Sequence, residues 1–294
     1  MELSEFAYTV LLKPRPLRAF ANATLRAISP KRKRLGDAWW TPNPNDPVVS
    51  GAAALGVYER PETAFFKEAC QPHMTFVDIG ANTGYYSAWA ISLLQGQGKI
   101  IAIEPDPEAL RYLTATRDAN NSGIMSVMPY AASSQEGKRI LFRNPDNRGD
   151  NRLYENDLCR DQAIIEARTV DKILGDLGVI DVDLVKIDVQ GFEGHVLLGM
   201  KETLSRSPKV TLLMEFWPWG LAKAGTDAGD LLAFLAGLGF ALFELKRDGL
   251  LKMVSSHAAL IEGLEGRRYT NLVGVLKRPA ESPLPAIRTL AAGA

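Results

Sequence analysis

The stretch Thr75-Phe-Val-Asp-Ile-Gly-Ala-Asn-Thr-Gly84 decides the fold. Phe76, Val77 and Ile79 around Asp78 read as a buried strand, and Gly80 and Gly84 as the sharp turn that follows it. A helix is expected from the end of that turn. Strand, glycine-rich turn and helix together open a β-α unit, whose ligand sits at the carboxyl end of the strand. The next strand, Ile100-Ile-Ala-Ile103, ends in Glu104-Pro105. An acid about 20 residues past such a turn accepts hydrogen bonds from both hydroxyls of an unphosphorylated ribose.

Outward from this unit, short apolar runs alternate with amphipathic stretches, the pattern of an α/β fold with a mainly parallel sheet. Seven strands are expected at 75–79, 99–103, 124–128, 183–188, 209–215, 240–245 and 271–276. Helices are expected at 84–94, 107–120, 194–205 and 227–237. Between the third and fourth strands, 139–143 reads as a hairpin partner of 164–169. The hairpin carries a turn-rich polar loop, Asn144-Pro-Asp-Asn-Arg-Gly-Asp-Asn-Arg152, expected to shape an acceptor pocket.

Residues 1–72 read as a separate N-terminal extension, helical and basic, with a proline-rich connector, Thr41-Pro-Asn-Pro-Asn-Asp-Pro47. The catalytic domain is expected over 73–279 and a poorly ordered tail over 280–294. The basic run Lys31-Arg32-Lys33-Arg34 reads as a solvated helix end, with contact to an anionic surface as the alternative. The pair Trp39-Trp40 is expected to pack on the domain rather than stack on a sugar.

The chain has 294 residues, with 34 basic and 34 acidic side chains and no net charge. This balance argues against a nucleic-acid partner, whose binding rests on neutralising phosphates. Cys70 and Cys159 are too few for a disulfide framework, and with His73, His195 and His257 they form no metal-ligand spacing. The longest apolar run, 231–243, falls well short of the roughly 20 residues a membrane-spanning helix needs. Acidic Glu2 and Glu5 are unlike the start of a signal peptide. A cytoplasmic protein without membrane insertion is expected.

The nucleotide is indicated by the glycine spacing. A dinucleotide turn reads G-x-G-x-x-G and sets pyrophosphate on a helix N-terminus. Here the spacing is Gly80-x-x-x-Gly84, with Asp78 ending the strand. An acid there suits a cation and not a pyrophosphate. S-adenosylmethionine carries a sulfonium and an amino group and no phosphate, so it is the expected cofactor.

Three segments carry a resemblance to the FkbM family of S-adenosylmethionine-dependent methyltransferases. They are Val77-Asp-Ile-Gly-Ala-Asn-Thr-Gly-Tyr-Tyr-Ser87; Ile103-Glu-Pro-Asp-Pro107 with the helix that ends at Asn120-Asn121; and Thr169-Val-Asp171 followed by Asp183-Leu-Val-Lys-Ile-Asp-Val-Gln-Gly-Phe-Glu193 and Val196-Leu-Leu-Gly-Met200. The likeness runs over 75–276. It implies a Rossmann-like class I methyltransferase fold and O-methylation of a small-molecule or glycan acceptor: a sugar, glycolipid or natural product. It also implies a cofactor site at Asp78, Gly80, Ala81, Asn82, Gly84, Tyr85, Glu104 and Pro105, with Ala131 and the nearby Ser133 at the adenine. The family commonly has Glu where this chain has Gln190, a position read here as a hydrogen-bonding one.

For the chemistry, Lys186, Asp188 and Gln190 alternate along a strand end and share a face. Asp188 is the first choice to face the acceptor hydroxyl. Glu193 and His195 follow, although a lone histidine is more often structural. Asp188 and Glu215 end adjacent strands and offer a pair of oxygen ligands for Mg²⁺. The sequence has no dense acidic cluster there, so no metal ligands are expected. Phe216, Trp217 and Trp219 either wall the acceptor or pack in the core. A non-catalytic S-adenosylmethionine-binding protein and a nucleotide-dependent oxidoreductase are the alternative functions.

Overall fold

The computed structural model describes residues 31–46, 49–54, 56, 58–144, 147–155 and 161–277. Cys159 and the tail 280–294 lie outside the described residues. The described residues open with a small hairpin, β1 (Lys33–Leu35) and β2 (Ala38–Trp40), then helices α1 (Val49–Ala54) and α2 (Arg60–Ala69). The deciding unit follows as β3 (Thr75–Ile79), α3 (Tyr85–Leu94), β4 (Lys99–Ile103), α4 (Pro107–Ala119) and β5 (Met125–Met128). Next come β6 (Ala131–Ala132), β7 (Gly137–Arg143), β8 (Asp161–Arg168) and α5 (Val170–Asp176). The second half holds β9 (Leu184–Ile187), α6 (Glu193–Leu198), α7 (Lys201–Arg206), β10 (Lys209–Phe216), α8 (Pro218–Lys223) and α9 (Ala228–Gly237). It closes with β11 (Phe240–Leu245), β12 (Leu251–Met253), α10 (His257–Glu262) and β13 (Thr270–Lys277).

The main sheet has the order β12-β11-β13-β10-β9-β3-β4-β5. Its β10-β9-β3-β4-β5 run is parallel, and β13 lies antiparallel between β10 and β11. All seven expected strands are present within a residue or two. The eighth, β12, is a three-residue edge strand turned back antiparallel onto β11 through Asp248-Gly249. Its brevity explains why the apolar pattern missed it. The expected hairpin forms, but 139–143 lies opposite 161–165 and not 164–169, and β6 joins it to make a separate three-stranded sheet.

Alternation along β3 feeds both faces of the main sheet. Val77 and Ile79 join the cluster under α5, α6 and α9, while Phe76 joins the opposite cluster under α2 and α3. The helix expected over 194–205 is broken in two. A side chain at Gly199 would meet the Ser133 carbonyl oxygen at 2.0 Å, so the chain passes there backbone to backbone. Beyond the break, Asp171 accepts from the Glu202 and Thr203 N–H groups at 3.0 and 2.8 Å and starts α7 afresh.

The basic run does not end a helix. Lys33 and Arg34 lie in β1, and Arg34 sits over the Trp39 ring at 5.0 Å. Trp40 is fully buried against α3, edge-on to Tyr85 at 5.5 Å, and its Nε1 donates to Thr83 Oγ1 at 3.2 Å. Asn120, at the end of α4, clamps the Trp39 backbone through both its N–H and its C=O at 2.7 Å. Phe66 of α2 packs on Phe76 and Tyr86. The segment 33–69 therefore packs on the glycine turn and the sheet. Among the described residues, no helix is long and apolar enough to cross a membrane.

Replacing Trp40 by Ala removes a large buried side chain and a bond to the glycine turn. Urea unfolding of the variant is expected to show a loss of about 3–5 kcal/mol. A change within experimental error would mean that the hairpin is not part of the cooperative fold.

Candidate active site

Parallel pairing sets Asp78 of β3 beside Lys186 of β9 at the carboxyl edge of the sheet. Both chains then turn. Gly80 has φ +77°, and a Cβ there would lie 2.0 Å from the Asp188 carbonyl oxygen. Only glycine lets the two strand ends meet this closely. On the other side, Gly191 (φ +100°) presses on the backbone of Gly220. Between them, Gln190 is held at φ +54°.

The two turns open onto a cleft of about 900 Å³, counting its solvent-exposed mouth. Of the expected cofactor residues, Asp78, Gly80, Ala81, Asn82, Tyr85, Glu104, Pro105 and Ala131 line it. Gly84 stands behind it, where a side chain would strike Leu113 at 2.7 Å, and Ser133 is buried away from it. Glu104 is buried at the wall. Its Oε2 accepts from the Asn82 N–H at 2.8 Å and its Oε1 from the Asp106 N–H at 2.9 Å. Burial pushes its carboxyl up to about 8, against the pull of those two N–H groups. Asp78 is also raised by burial. It accepts from Ser87 Oγ at 2.7 Å.

At the far end of the cleft, Lys186 Nζ lies 3.1 Å from Asp188 Oδ2 and 4.6 Å from the centre of the Tyr86 ring. Burial works to lower the ammonium's proton affinity, but the carboxylates of Asp188, Glu59 and Asp78 outweigh it and raise that affinity above the ordinary lysine range. Gln190 Nε2 donates to Asp188 Oδ1 at 2.8 Å and reaches Glu215 Oε2 at 3.5 Å. Glu215 is raised well above the usual carboxylate range, by burial first and then by Asp188, Glu193 and Glu59. Gln190 thus stands between the carboxylates of Asp188 and Glu215. No group of three or more His, Cys, Asp or Glu side chains among the described residues is arranged to hold a metal ion.

Two expected catalytic residues do not reach the cleft. Glu193 is fully buried behind it, and its Oε1 accepts from the N–H groups of Val189 and Gly191, both at 3.2 Å. It fixes the turn that presents Asp188 and Gln190, and burial pushes its carboxyl up to about 7. His195 is committed elsewhere: Nδ1 lies 3.1 Å from Ser134 Oγ, Nε2 lies 3.0 Å from the Ala224 carbonyl, and the ring stacks on Phe192. Phe216 and Trp217 belong to the interior, with Arg152 over the Trp217 ring.

The N-terminal segment and loop 144–152, expected from sequence as whole segments to shape the acceptor pocket, both reach the cleft. Val49, Tyr58, Arg148 and Asn151 also line it. Glu59, at φ +41° before α2, accepts from Tyr86 OH at 2.6 Å and has its carboxyl pushed up by burial to about 7, against the pull of Lys186. No local pattern marks Tyr58 and Glu59, because Tyr58 meets Tyr85 and Glu59 meets Tyr86 only through the fold. Loop 144–152 is tied across the cleft by Arg143 and Asn151 to Asp106, at 3.4 and 3.2 Å.

The sequence pattern of the methyltransferase FkbM domain matches residues 78–242, more than half of the chain. The chain belongs to the FkbM methyltransferase family. Its main sheet and carboxyl-edge cleft are those of a class I methyltransferase fold. The chain is 29% identical over 155 residues to the 2-O-methyltransferase NoeI of Sinorhizobium fredii, covering 47% of this chain and 61% of that protein. It is 27% identical over 217 residues to the AMB antimetabolite synthetase AmbE of Pseudomonas aeruginosa, covering 62% of this chain and 10% of that protein. The matches thus span less than two thirds of either curated relative. The crystal structure of an FkbM methyltransferase from Methylobacillus flagellatus aligns at 17% identity and TM-score 0.41, over 88% of this chain and 59% of that one. Tyr58, Glu59 and Val49 of this FkbM family member lie outside the matched stretch.

Glu104, Glu59, Glu193 and Glu215 bind protons more tightly folded than unfolded, where a carboxyl titrates near 4.5. Stability is therefore lost as pH rises from that value through 7 and 8. Urea unfolding of the ligand-free protein is expected to give a larger unfolding free energy at pH 6 than at pH 8.5, by more than about 1 kcal/mol. A flat or rising profile would show that these carboxyls are not buried in solution.

Proposed function

We propose that this chain transfers a methyl group from S-adenosylmethionine to a hydroxyl of a small-molecule or glycan acceptor. The observation that carries the reading is Glu104. It is a buried carboxylate at the cleft wall, oriented by two backbone N–H groups and aimed where a ribose needs an acceptor. The donor set fits the cofactor. Asp78, Glu104 and Asp188 make an acidic wall that suits a cationic ligand and disfavours pyrophosphate. The likeness to NoeI, a 2-O-methyltransferase, supports oxygen as the atom methylated. The buried free thiol of Cys70 suits a reducing, cytoplasmic setting.

S-adenosylmethionine supplies an electrophilic methyl group on a sulfonium. The chain's part is to bind, to align and to take one proton. Glu104 holds the ribose, and the 80–84 turn holds the amino-acid end. Asp188 accepts the hydrogen bond of the acceptor hydroxyl, paired with Lys186 and oriented by the Gln190 amide. This role answers the family departure, since an amide donor at 190 fixes Asp188 where a second carboxylate would repel it. Alignment accounts for most of the rate, and the proton acceptor adds about 10²–10⁴-fold.

Calorimetric titration with S-adenosylhomocysteine tests the cofactor. Wild type is expected to bind, and Glu104→Ala to lose at least about tenfold in affinity through its charged hydrogen bonds. Because ribose hydroxyls donate to the ionised carboxylate, binding should tighten as pH rises through about 8. Binding of NAD in place of S-adenosylhomocysteine would overturn the reading in favour of an oxidoreductase.

Asp188→Asn should keep S-adenosylhomocysteine affinity and lower methyl transfer to hydroxylated sugar acceptors by about 10²-fold or more. Unchanged turnover would remove Asp188 from the chemistry.

A further inference from the structure

Glu59 occupies a strained position that its own helix does not need. It precedes α2 at φ +41° and ψ +52°, in the left-handed region, and its side chain makes no cap to that helix. Its carbonyl accepts from the Thr63 N–H at 2.7 Å, which any residue could do. Glycine would take this backbone conformation at lower cost. A larger residue persists there where its surroundings over-determine it, and such positions collect at functional sites.

The carboxylate is used across the fold instead. Tyr86 OH donates to Glu59 Oε2 at 2.6 Å. Tyr86 is buried, and its ring lies edge-on to Phe66 of α2 at 5.1 Å and to Tyr85 at 5.4 Å. The start of α2 therefore fixes both the ring and its hydroxyl. The ring face receives Lys186 Nζ at 4.6 Å from its centre, and the same ammonium reaches Asp188 Oδ2 at 3.1 Å. A phenol that donates to a carboxylate becomes more electron-rich, which strengthens the hold of its face on a cation. One chain of contacts thus runs from Glu59 through Tyr86 and Lys186 to Asp188.

That chain bears on what Asp188 offers a hydroxyl. Lys186 takes Oδ2 and the Gln190 amide takes Oδ1, so these two donors set the direction of the lone pairs that remain. Gln190 is fixed by its turn, but Lys186 is a point charge on a flexible stem. The groups that share a field with Glu59 are Lys186 and Asp188 at the end of β9, Tyr86 of α3, Glu62 of α2, Tyr58, Glu215 of β10 and Tyr269 before β13. Lys186 is the cation among them.

We propose that Glu59 is a positioning residue of the methyl-transfer site, holding Lys186 against Asp188 through the Tyr86 ring. This inference rests on the role given to Asp188 above and extends the site into a segment outside the matched family domain.

Lysine ammonium NMR on the ligand-free protein reads the hold, with the Lys186 signal identified by its absence in Lys186→Arg. Exposed ammonium groups lose their signals to exchange with water, whereas a buried, hydrogen-bonded one keeps its signal. In the wild type the Lys186 signal is expected to persist and to shift with pH through about 7, as Glu59 ionises. Glu59→Gln should abolish that step and speed exchange. Tyr86→Phe keeps the ring, loses its bond to Glu59 and should also speed exchange. In transfer to hydroxylated sugar acceptors, Glu59→Gln is expected to lower kcat by about tenfold or more, with acceptor KM and S-adenosylhomocysteine affinity within about twofold, since alignment acts on the transition state. Thermal melts check folding; if Glu59→Gln does not fold, Tyr86→Phe carries the comparison. A wild-type Lys186 signal that exchanges as fast as exposed lysines would overturn the proposal. A pH step retained in Glu59→Gln would do the same and belong to Glu193, which also titrates at about 7. Unchanged kcat, or cofactor affinity that falls as far as kcat, would reduce Glu59 to a brace of the fold. Failure of the wild type to bind S-adenosylhomocysteine would instead sink the methyl-transfer reading, while the Lys186 spectrum would still decide whether Glu59 holds that cation.

Discussion

The buried ammonium of Lys186 is the constraint on which the site depends. Burial lowers its proton affinity, and Asp188, Glu59 and Asp78 raise it by more. The dependence is mutual: without that charge, Asp188 and Glu59 would face each other across the cleft end with no cation between them. Lys186 lies on a strand buried on both faces, flanked in register by β3 and β10, so its position is set by sheet hydrogen bonds and not by its own flexible stem. Asp78, Glu104 and Asp188 share the cleft wall with Lys186.

The second requirement is that two loops stay fixed where strands end. Gly80 allows the turn after β3 to touch the Asp188 carbonyl, and Glu193 holds the N–H groups of the turn after β9. Glu193 is thus a positioning residue. Its unmatched Oε2 and raised proton affinity follow from full burial. The contrast with Asp188 is instructive, since both are acids of one short motif. One is half-buried with a cation beside it, while the other is sealed behind the backbone it braces.

The cleft is completed from two directions outside the central β-α units. The N-terminal segment brings Val49 and Tyr58 to the wall and sets Glu59 on Tyr86. The polar loop comes from the separate three-stranded sheet and is moored by Arg143, Arg148 and Asn151 to Asp106 and Glu108. Those contacts join charged groups at the start of α4, where acids are favoured by the helix dipole. The same acids that start the helix therefore anchor the loop.

The strands, the glycine turn, Glu104 and the hairpin were legible in the sequence, because each rests on local physics: alternation, turn chemistry and a fixed spacing along one β-α unit. Eight of the residues that the family resemblance implies for a cofactor site line the cleft. What the tertiary structure alone decided was which polar groups meet across long separations. Glu59 meets Tyr86, Arg148 meets Glu108, and Trp40 meets Thr83, and no periodicity records such pairings. It also decided the fate of His195, whose ring nitrogens are taken by Ser134 and Ala224. Sequence specifies which groups are able to do chemistry; packing determines which of them have a hydrogen bond left to offer a ligand.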